Sequence, residues 1–298
     1  MNKSIPVQLV IILLSNLMAA TCVFAQTVFT HQLPEAYVQA SPNFEVSAFK
    51  LALDKTVAEY GAYEIRTAPQ TNVNRIVQSI KTNAYPNYFA SLGYNEGYKS
   101  TKEMDYVPFP VDLGVLSYRT CFAPKSMMDK LAKVNSLDDL RQFSMGLGRD
   151  WVDVAILRSN GFTVMEVAQY SALFKMTAAH RFDLFCRGVN EIKDEYDHFG
   201  SIKGLGYDLH LLIYYPMPIL FYTNPSNKEA NARVTKGLQM AFADGSLIAL
   251  WREQHQASVD FARLKKRKVF RLENPLVKSI DFDYTKYFYK LDTDYPTR

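Results

Sequence analysis

The chain has 298 residues, of which 48% are apolar and 21% charged, and its formal net charge at pH 7 is +4. This composition supports a folded core, and the length suits one large domain or two ordinary ones. The small net charge gives no indication of nucleic-acid binding. The one basic run, 265–268, is most simply a solvent-exposed turn before a strand.

Residues 1–25 have the three parts of a cleavable secretory signal. Lys3 supplies a positive charge, an apolar run follows, and small side chains precede Ala25. We predict cleavage after Ala25 and a mature protein that works outside the cytoplasm. Two alternatives stay open at this point: a membrane anchor, which would need about 20 mostly apolar residues, and lipidation of Cys22.

Export changes how the cysteines are interpreted. The mature chain keeps Cys121 and Cys186, an even number in a compartment where disulfides persist. Neither belongs to a Cys-x-x-Cys pair, and no histidine stands at metal-ligand spacing from either, so we predict no metal site. Two buried thiols and a disulfide are both compatible with the sequence.

Short β-like runs alternate with amphipathic helices along the whole chain, which predicts an α/β architecture with largely parallel sheets. In the first helix, Phe49, Leu53 and Val57 share one face, and Gly61 ends the helix. The first block has predicted strands at 27–30, 63–66 and 88–92 and helices at 44–60 and 72–81.

The middle block follows a stretch, 107–110, in which two prolines prevent a regular helix. A capping box at Ser136–Asp139 predicts the start of a short helix. The other elements of this block are predicted as strands at 116–122, 143–147, 163–167 and 182–186 and helices at 151–160 and 172–179.

The last block contains predicted strands at 209–215, 219–223 and 269–272, and helices at 226–243 and 247–254. Two extended, proline-marked stretches, near 107–118 and 209–223, therefore bracket the middle block. This arrangement predicts a chain that crosses into a second lobe and then returns.

Four segments in this order resemble the periplasmic solute-binding proteins of type II topology, in particular bacterial extracellular solute-binding family 3, which includes receptors for polar amino acids. They read Val-Asp-Leu-Gly-Val-Leu-Ser-Tyr-Arg at 111–119, Gly-Arg-Asp-Trp at 148–151, Ala-His-Arg-Phe-Asp at 179–183 and Asp-Gly-Ser at 244–246. The resemblance covers nearly the whole mature chain.

The resemblance implies a two-lobed α/β clamp with two crossing hinge strands. Lobe one would consist of 26–110 and 218–298, and lobe two of 111–217. A small polar solute, amino-acid-like or a small organic acid, would bind in the cleft, and closure would present a new surface to a partner. The implied protein is a periplasmic monomer without a cofactor that serves an ABC-type importer through an inner-membrane permease, or alternatively a membrane sensor.

In lobe two, the loops at strand ends and the amino ends of the following helices should contact the solute. Arg149, Asp150 and Trp151 stand at the start of a predicted helix, where Asp150 or Asp153 could instead cap that helix. A second group of candidates follows the strand that contains Asp183. This group consists of Arg187, Asn190 and Glu191, with Glu191 expected from the resemblance to bind a ligand ammonium.

Lobe one should contribute one group of residues after each of its strands. The candidates are Glu35, Arg66, Tyr94 and Asn95. The resemblance also implies an arginine shortly before the first crossing, where its two-pronged guanidinium would bind a carboxylate. The stretch 97–103 contains no arginine. Arg119 lies beyond the crossing and either supports the hinge or contacts solute.

The resemblance further implies that the strand entering lobe two lies beside the strand with Cys186, so Cys121 could reach it to form a disulfide. An enzyme is the remaining alternative. The sequence has neither a Gly-x-Ser-x-Gly nor a His-Glu-x-x-His motif, and its five histidines are scattered. A dehydratase on this fold would need only a carboxylate acid/base such as Glu35 or Glu191. We predict a binding protein.

Overall fold

The computed structural model describes residues 26–32, 43–100 and 102–290, so the predicted signal at 1–25 and its cleavage site lie outside the described residues. No helix in these ranges is long and apolar enough to cross a membrane. The first elements are β1 (Thr27–Gln32), α1 (Phe44–Lys55), α2 (Val57–Tyr60), β2 (Tyr63–Ala68), α3 (Val73–Lys81), β3 (Tyr88–Gly93), α4 (Glu96–Ser100) and β4 (Asp105–Tyr106).

The middle of the chain holds shorter elements and the end holds the two longest helices. The middle elements are β5 (Tyr118–Pro124), α5 (Met128–Leu131), α6 (Leu137–Arg141), β6 (Met145–Gly148), α7 (Val152–Ser159), β7 (Val164–Val167), α8 (Tyr170–Ala178), β8 (Phe185–Gly188), α9 (Ile192–Phe199), β9 (Leu205–Tyr207) and β10 (Leu211–Tyr214). The last elements are β11 (Ile219–Thr223), α10 (Lys228–Ala243), α11 (Ser246–Ala262) and β12 (Lys268–Arg271).

The first sheet has the strand order β2-β1-β3-β11-β4 and forms the core of lobe one. β1 runs parallel to β2 and β3, whereas β11 runs antiparallel to β3 and β4. Phe29, Phe49, Phe89 and Phe221 are buried against one another between this sheet and α1. Their burial removes a large apolar area from water, which stabilises the lobe.

The second sheet has the order β12-β10-β5-β8, with β9 also paired to β5. A parallel pair, β6 and β7, adjoins it through a bridge between Met145 and Leu184. Both sheets are therefore mixed, because one strand in each runs opposite to the others: β11 in the first sheet and β5 in the second. The remaining strands of each sheet share one direction, in agreement with the prediction of largely parallel sheets, and the two reversed strands are those that adjoin the crossing segments.

The two crossing segments lie side by side and are held by backbone hydrogen bonds. The amide of Val111 donates to the carbonyl of Ile219 (2.9 Å), and Ser117 Oγ accepts from the amide of Met217 (2.9 Å). The buried carboxylate of Asp112 accepts from amides on both segments, including that of Ile219 (3.4 Å). These contacts form the hinge that the sequence predicts at this place.

The end of the chain departs from the predicted lobe boundaries. β12, at 268–271, is parallel to β10 in the second sheet, although 218–298 was assigned wholly to lobe one. Helix α11 leads to it and bridges the lobes, since Ser258 Oγ accepts from the amide of Lys193 on α9 (3.1 Å). The chain therefore passes between the lobes again after the two predicted crossings. The sequence missed this because β12 is short and its pairing partner is about 57 residues away.

Two local predictions concern helix ends, and one is confirmed while the other differs from the structure. The capping box at Ser136–Asp139 is confirmed, with reciprocal hydrogen bonds at the start of α6. The single helix predicted at 44–60 is broken at Thr56, whose hydroxyl bonds to the carbonyl of Leu53 (2.9 Å) and to the Nε of Arg233 (3.1 Å). Such back-bonding by threonine competes with regular helix geometry.

Cys121 and Cys186 face each other across β5 and β8 and form a disulfide with a sequence separation of 65. The bond lies in the second sheet, two residues from Arg119 and one from Arg187. A crosslink stabilises mainly by limiting the unfolded chain, and the chain-entropy relation gives about 4 kcal/mol for a loop of this length.

We expect replacement of both cysteines by alanine to lower the free energy of unfolding by about 4 kcal/mol. Urea denaturation of the oxidised protein measures this loss. Dithiothreitol should destabilise the wild-type protein by a similar amount and leave the double variant unchanged. Equal unfolding free energies for oxidised and reduced wild-type protein would contradict the expectation.

The stability of lobe one should depend on pH through His31. This side chain is 1% exposed between Phe49 and Phe221, and neither ring nitrogen has a hydrogen-bond partner among the described residues. Burial lowers the pKa of His31 to about 4 from 6.5. Between these values the unfolded state binds a proton that the native state does not, so stability is lost as the pH falls.

We expect His31→Leu to reduce the slope of unfolding free energy against pH by up to about 1.4 kcal/mol per pH unit between pH 6.5 and 4. Chemical denaturation at a series of pH values measures the slope. Thr30→Val, at the neighbouring buried position of β1, removes no titratable group, so it is the matched control and should leave the slope unchanged. A slope that is the same in wild type and His31→Leu would refute the role assigned to His31.

Candidate functional site

A cleft with a cavity of about 190 Å³ lies between the two lobes. Lobe one contributes the carboxyl end of β3, the beginning of α3 and the loop before it, and the helix α4. The described lining residues on this side are all uncharged: Thr71, Val73, Ile76, Ser91, Leu92, Gly93 and Tyr98. This wall therefore offers apolar contacts and a few hydroxyl groups.

All the charged residues among the described lining of the cleft belong to lobe two. Its lining residues come from the hinge side of β5, the β6–α7 turn and the end of β8: Leu116, Arg119, Asp150, Trp151, Val152, Asp153, Arg187 and Glu191. Met217 and Ile219 close the cleft at the hinge. The site thus has one apolar wall and one charged wall.

Arg187 is the centre of a buried ion network. Its Nε donates to Glu195 Oε1 and its Nη2 donates to Glu191 Oε1, both at 2.7 Å. Tyr170 donates its hydroxyl to the same Glu195 oxygen (2.6 Å). Burial raises the pKa of Glu195, and the Arg187 guanidinium opposes that rise. The network fixes Arg187 and leaves Glu191, with 26% of its side chain exposed, facing the cleft.

The ring of Trp151 lies flat against the end of β6. A Cβ on Gly148 would come within 2.2 Å of this ring, so only glycine permits the contact. The guanidinium of Arg187 is 4.8 Å from the ring centroid, a cation–π distance. Trp151 is thereby held as a rigid part of the lobe-two wall.

Arg119 forms a second buried ion pair, in which its Nη2 is 2.8 Å from Asp153 Oδ1. The same carboxylate oxygen accepts a hydrogen bond from the hydroxyl of Tyr215, and the guanidinium lies 5.2 Å from that ring. Asp153 therefore pairs with Arg119 and does not cap α7, which has no side-chain cap. The pair anchors α7 to the hinge strand β5.

The two lobes touch across the cleft. Asn74 Nδ2 on α3 donates to Asp150 Oδ2 on the opposite wall (3.0 Å). Asp150 has a φ of 66°, an uncommon conformation for a residue other than glycine, which directs the β6–α7 turn toward α3. Val152 lies so close to Gly93 that a Cβ there would be 2.9 Å from its Cγ2. The two lobes are therefore in contact across the cleft, which corresponds to the closed form of the clamp.

Five of the predicted site residues line the cleft: Arg119, Asp150, Trp151, Arg187 and Glu191. Arg149 is exposed and outside the lining, although it neighbours Asp150. Asn190 lies beside Glu191 but is not part of the lining, and its buried Oδ1 has no partner among the described residues.

The lobe-one predictions did not identify the lining. Arg66 is exposed and paired with Glu64 (2.8 Å) on β2, the edge strand of the first sheet. Tyr94 is 1% exposed and bonds to Ser279 Oγ (3.0 Å), and Asn95 accepts from the amide of Gly97 (2.9 Å). Glu35 lies outside the described residues.

Sequence reasoning missed the residues that lobe one actually places in the cleft. Val73 lines the cleft at the start of α3, and Asn74 beside it contacts Asp150 across the opening. The rule that helix amino ends line the crevice of an α/β sheet could have found both. Tyr98 and Met217 carry no such signal, since their positions depend on how the lobes meet. The described residues include no cluster of His, Cys, Asp and Glu that could hold a metal ion.

A larger cavity, of about 360 Å³, lies behind the hinge. Trp251 and Phe242 form its wall with the segment 286–290, and its charged residues are Arg252, Lys286 and Lys290. Its charged lining residues are all cations, whereas the cleft combines charges of both signs with an uncharged wall. The cleft is therefore the better candidate for a specific solute site, because such sites combine apolar walls with a few placed polar groups.

No protein-family model and no curated protein matches the chain. Solved structures do match. An ancestral arginine-binding protein bound to arginine has 14% identity and a TM-score of 0.57 over 77% of this chain and 98% of its own. An amino acid ABC transporter substrate-binding protein from Streptococcus pneumoniae bound to L-arginine has 13% identity and a TM-score of 0.56 over 78% and 96%.

A histidine kinase sensor domain with similarity to periplasmic binding proteins has 13% identity and a TM-score of 0.55 over 77% of this chain and 96% of its own. These structures are described as binding proteins and a sensor domain. At such low identity the likeness establishes the fold, and the chain has the two-lobed α/β fold of periplasmic binding proteins.

Proposed function

We propose that the chain is a periplasmic solute-binding protein that captures a small polar solute, amino-acid-like or a small organic acid, and delivers it to an ABC-type importer. In this proposal the signal at 1–25 is removed after Ala25 and the protein acts as a monomer without catalysis. The inner-membrane permease would recognise the closed clamp.

The observation that carries the proposal is the closed cleft with its two unlike walls. Fixed charged groups from lobe two face an uncharged wall from lobe one, and Asn74 bonds to Asp150 across the opening. A solute that contacts both walls stabilises the closed state by its difference in affinity for the closed and open forms. Hinge closure then couples binding to recognition by a partner.

A sensing role is the second candidate. The likeness to a histidine kinase sensor domain favours it. In a strain that lacks this gene, loss of solute uptake would support the importer. Normal uptake with loss of a transcriptional response to the solute would support the sensor.

We expect a thermal-shift screen of the purified protein against amino acids, amines and small organic acids to give a hit. At a ligand concentration of one hundred times Kd, binding adds about 2.7 kcal/mol of stability, which raises Tm by several degrees. Arg187→Lys should abolish the shift, and Arg158→Lys, at a surface ion pair with Glu166, is the matched control. No shift with any compound would refute the proposal, and consumption of the hit would favour the dehydratase-like alternative.

Gly93 should be required for closure, because a side chain at this position meets Val152 and Met217. We expect Gly93→Val to weaken solute binding at least tenfold and to increase the radius of gyration in small-angle scattering. Gly206→Val is the matched control, a strand glycine in lobe two whose Cβ would meet the mobile methyl end of Met128. Unchanged affinity in Gly93→Val would show that the closed form is not the binding form.

A further inference from the structure

We infer that the solute is a small organic cation that carries an ammonium or guanidinium group and no carboxylate. This inference rests on the proposed function, because it takes the same cleft as the solute site. It narrows the small polar solute to one class and excludes the amino acids and organic acids named there. It follows from the distribution of charge between the two walls, which matches a cation and opposes an anion.

The uncharged wall would pack against the apolar part of such a solute. Val73, Ile76 and Leu92 line it, and Met217 continues the apolar surface to the hinge. None of the described lining residues of lobe one carries a charge. A carboxylate placed against this wall would lose its hydration without gaining an opposite charge, which is strongly unfavourable.

The charged wall has more carboxylates than guanidinium groups. Arg119 and Arg187 face Asp150, Asp153 and Glu191, and Glu195 lies directly behind Arg187. Burial raises the pKa of Glu195. Even with Glu195 protonated, three carboxylates face two guanidinium groups. The wall therefore attracts a positive charge and repels a negative one.

Neither arginine is available as a counter-ion for a ligand carboxylate. Arg187 binds Glu191 and Glu195 simultaneously. Arg119 is 3% exposed and its charge is balanced by Asp153 at 2.8 Å. The Arg119 Nε has no partner among the described residues. One uncharged oxygen on the solute, or a water molecule, would satisfy this N–H, so it does not require a carboxylate.

Glu191 supplies acceptor oxygens for a cationic group. Its Oε1 accepts from Arg187 Nη2 (2.7 Å) and its Oε2 from the amide of Gly188 (3.1 Å), which orients the carboxylate and leaves each oxygen with a further lone pair. Asn190 Oδ1 is buried and receives no hydrogen bond from the described residues. The pKa of Glu45, at the start of α1, is raised mainly by burial and also by the charge of Glu191. A cation bound to Glu191 in the cleft forms a charge-assisted hydrogen bond with its carboxylate and offsets the repulsion between Glu191 and Glu45.

Matched pairs of compounds that differ only in the carboxylate provide the test. Isothermal titration of the purified protein should compare agmatine with L-arginine, cadaverine with L-lysine and putrescine with L-ornithine. In at least one pair we expect the amine to bind at least tenfold more tightly than its amino acid. Glu191→Gln should weaken binding of that amine at least tenfold.

Glu166→Gln is the matched control, since Glu166 on β7 pairs with Arg158 on α7 and neither residue lines the cleft. It should leave the affinity for the amine unchanged. The unfolding midpoint of each variant, measured without ligand, identifies any loss caused by misfolding. If Glu191→Gln does not fold, Asp150→Asn at the exposed edge of the cleft provides the same comparison.

The outcomes separate the two proposals. An amino acid that binds as tightly as its amine, or more tightly, overturns the cation inference and leaves the receptor function intact. If small organic acids bind and no amine does, the cation inference is likewise overturned and the receptor function stays intact. Absence of binding by amines, amino acids and organic acids alike overturns the receptor function and the cation inference together.

Discussion

The buried residue Asp112 joins the two crossing segments that connect the lobes. Its carboxylate accepts hydrogen bonds from the amides of Gly114, Leu116 and Ile219, and so joins the outgoing and returning crossing segments. Its backbone carbonyl accepts from the indole of Trp251 on α11, which belongs to the later passage of the chain between the lobes. Burial raises the pKa of Asp112 to about 7. Since a buried carboxylate is tolerated only when its hydrogen bonds are made, this group fixes how the three passages meet.

The shape of the cleft follows from that junction. With the crossing segments tied together, the β6–α7 turn lies against α3 and β3. Gly93 permits the approach, and the contact of Asn74 with Asp150 closes the opening. The bridge from α11 to α9 adds a constraint that a hinge of two strands would lack. A clamp built in this way suits small movements between a closed and a slightly open state.

The charged wall is organised before any solute arrives. Arg187 is fixed by two carboxylates and by the ring of Trp151, and Arg119 is fixed by Asp153. Binding therefore costs little side-chain entropy on this wall, which favours affinity. The sequence offers arginines and carboxylates side by side as candidate site residues. In the structure, the described lining of lobe two has two guanidinium groups, Arg119 and Arg187, and three carboxylates, Asp150, Asp153 and Glu191.

The sequence by itself determined the alternation of strands and helices, the two proline-marked crossings and the α/β class, because hydrophobic periodicity and proline act locally. It also indicated the lobe-two site, since Asp150, Trp151 and Glu191 follow strand ends or begin helices. Only the tertiary structure decided which charged side chains of the cleft are paired within the protein and which could interact with a solute. The partners of Arg187 and Arg119 come from α9 and α7, and ion pairing depends on distances that the sequence does not specify. The same holds for β12, which joins the second sheet through a long-range pairing, and for Gly93, which matters only because Val152 lies opposite.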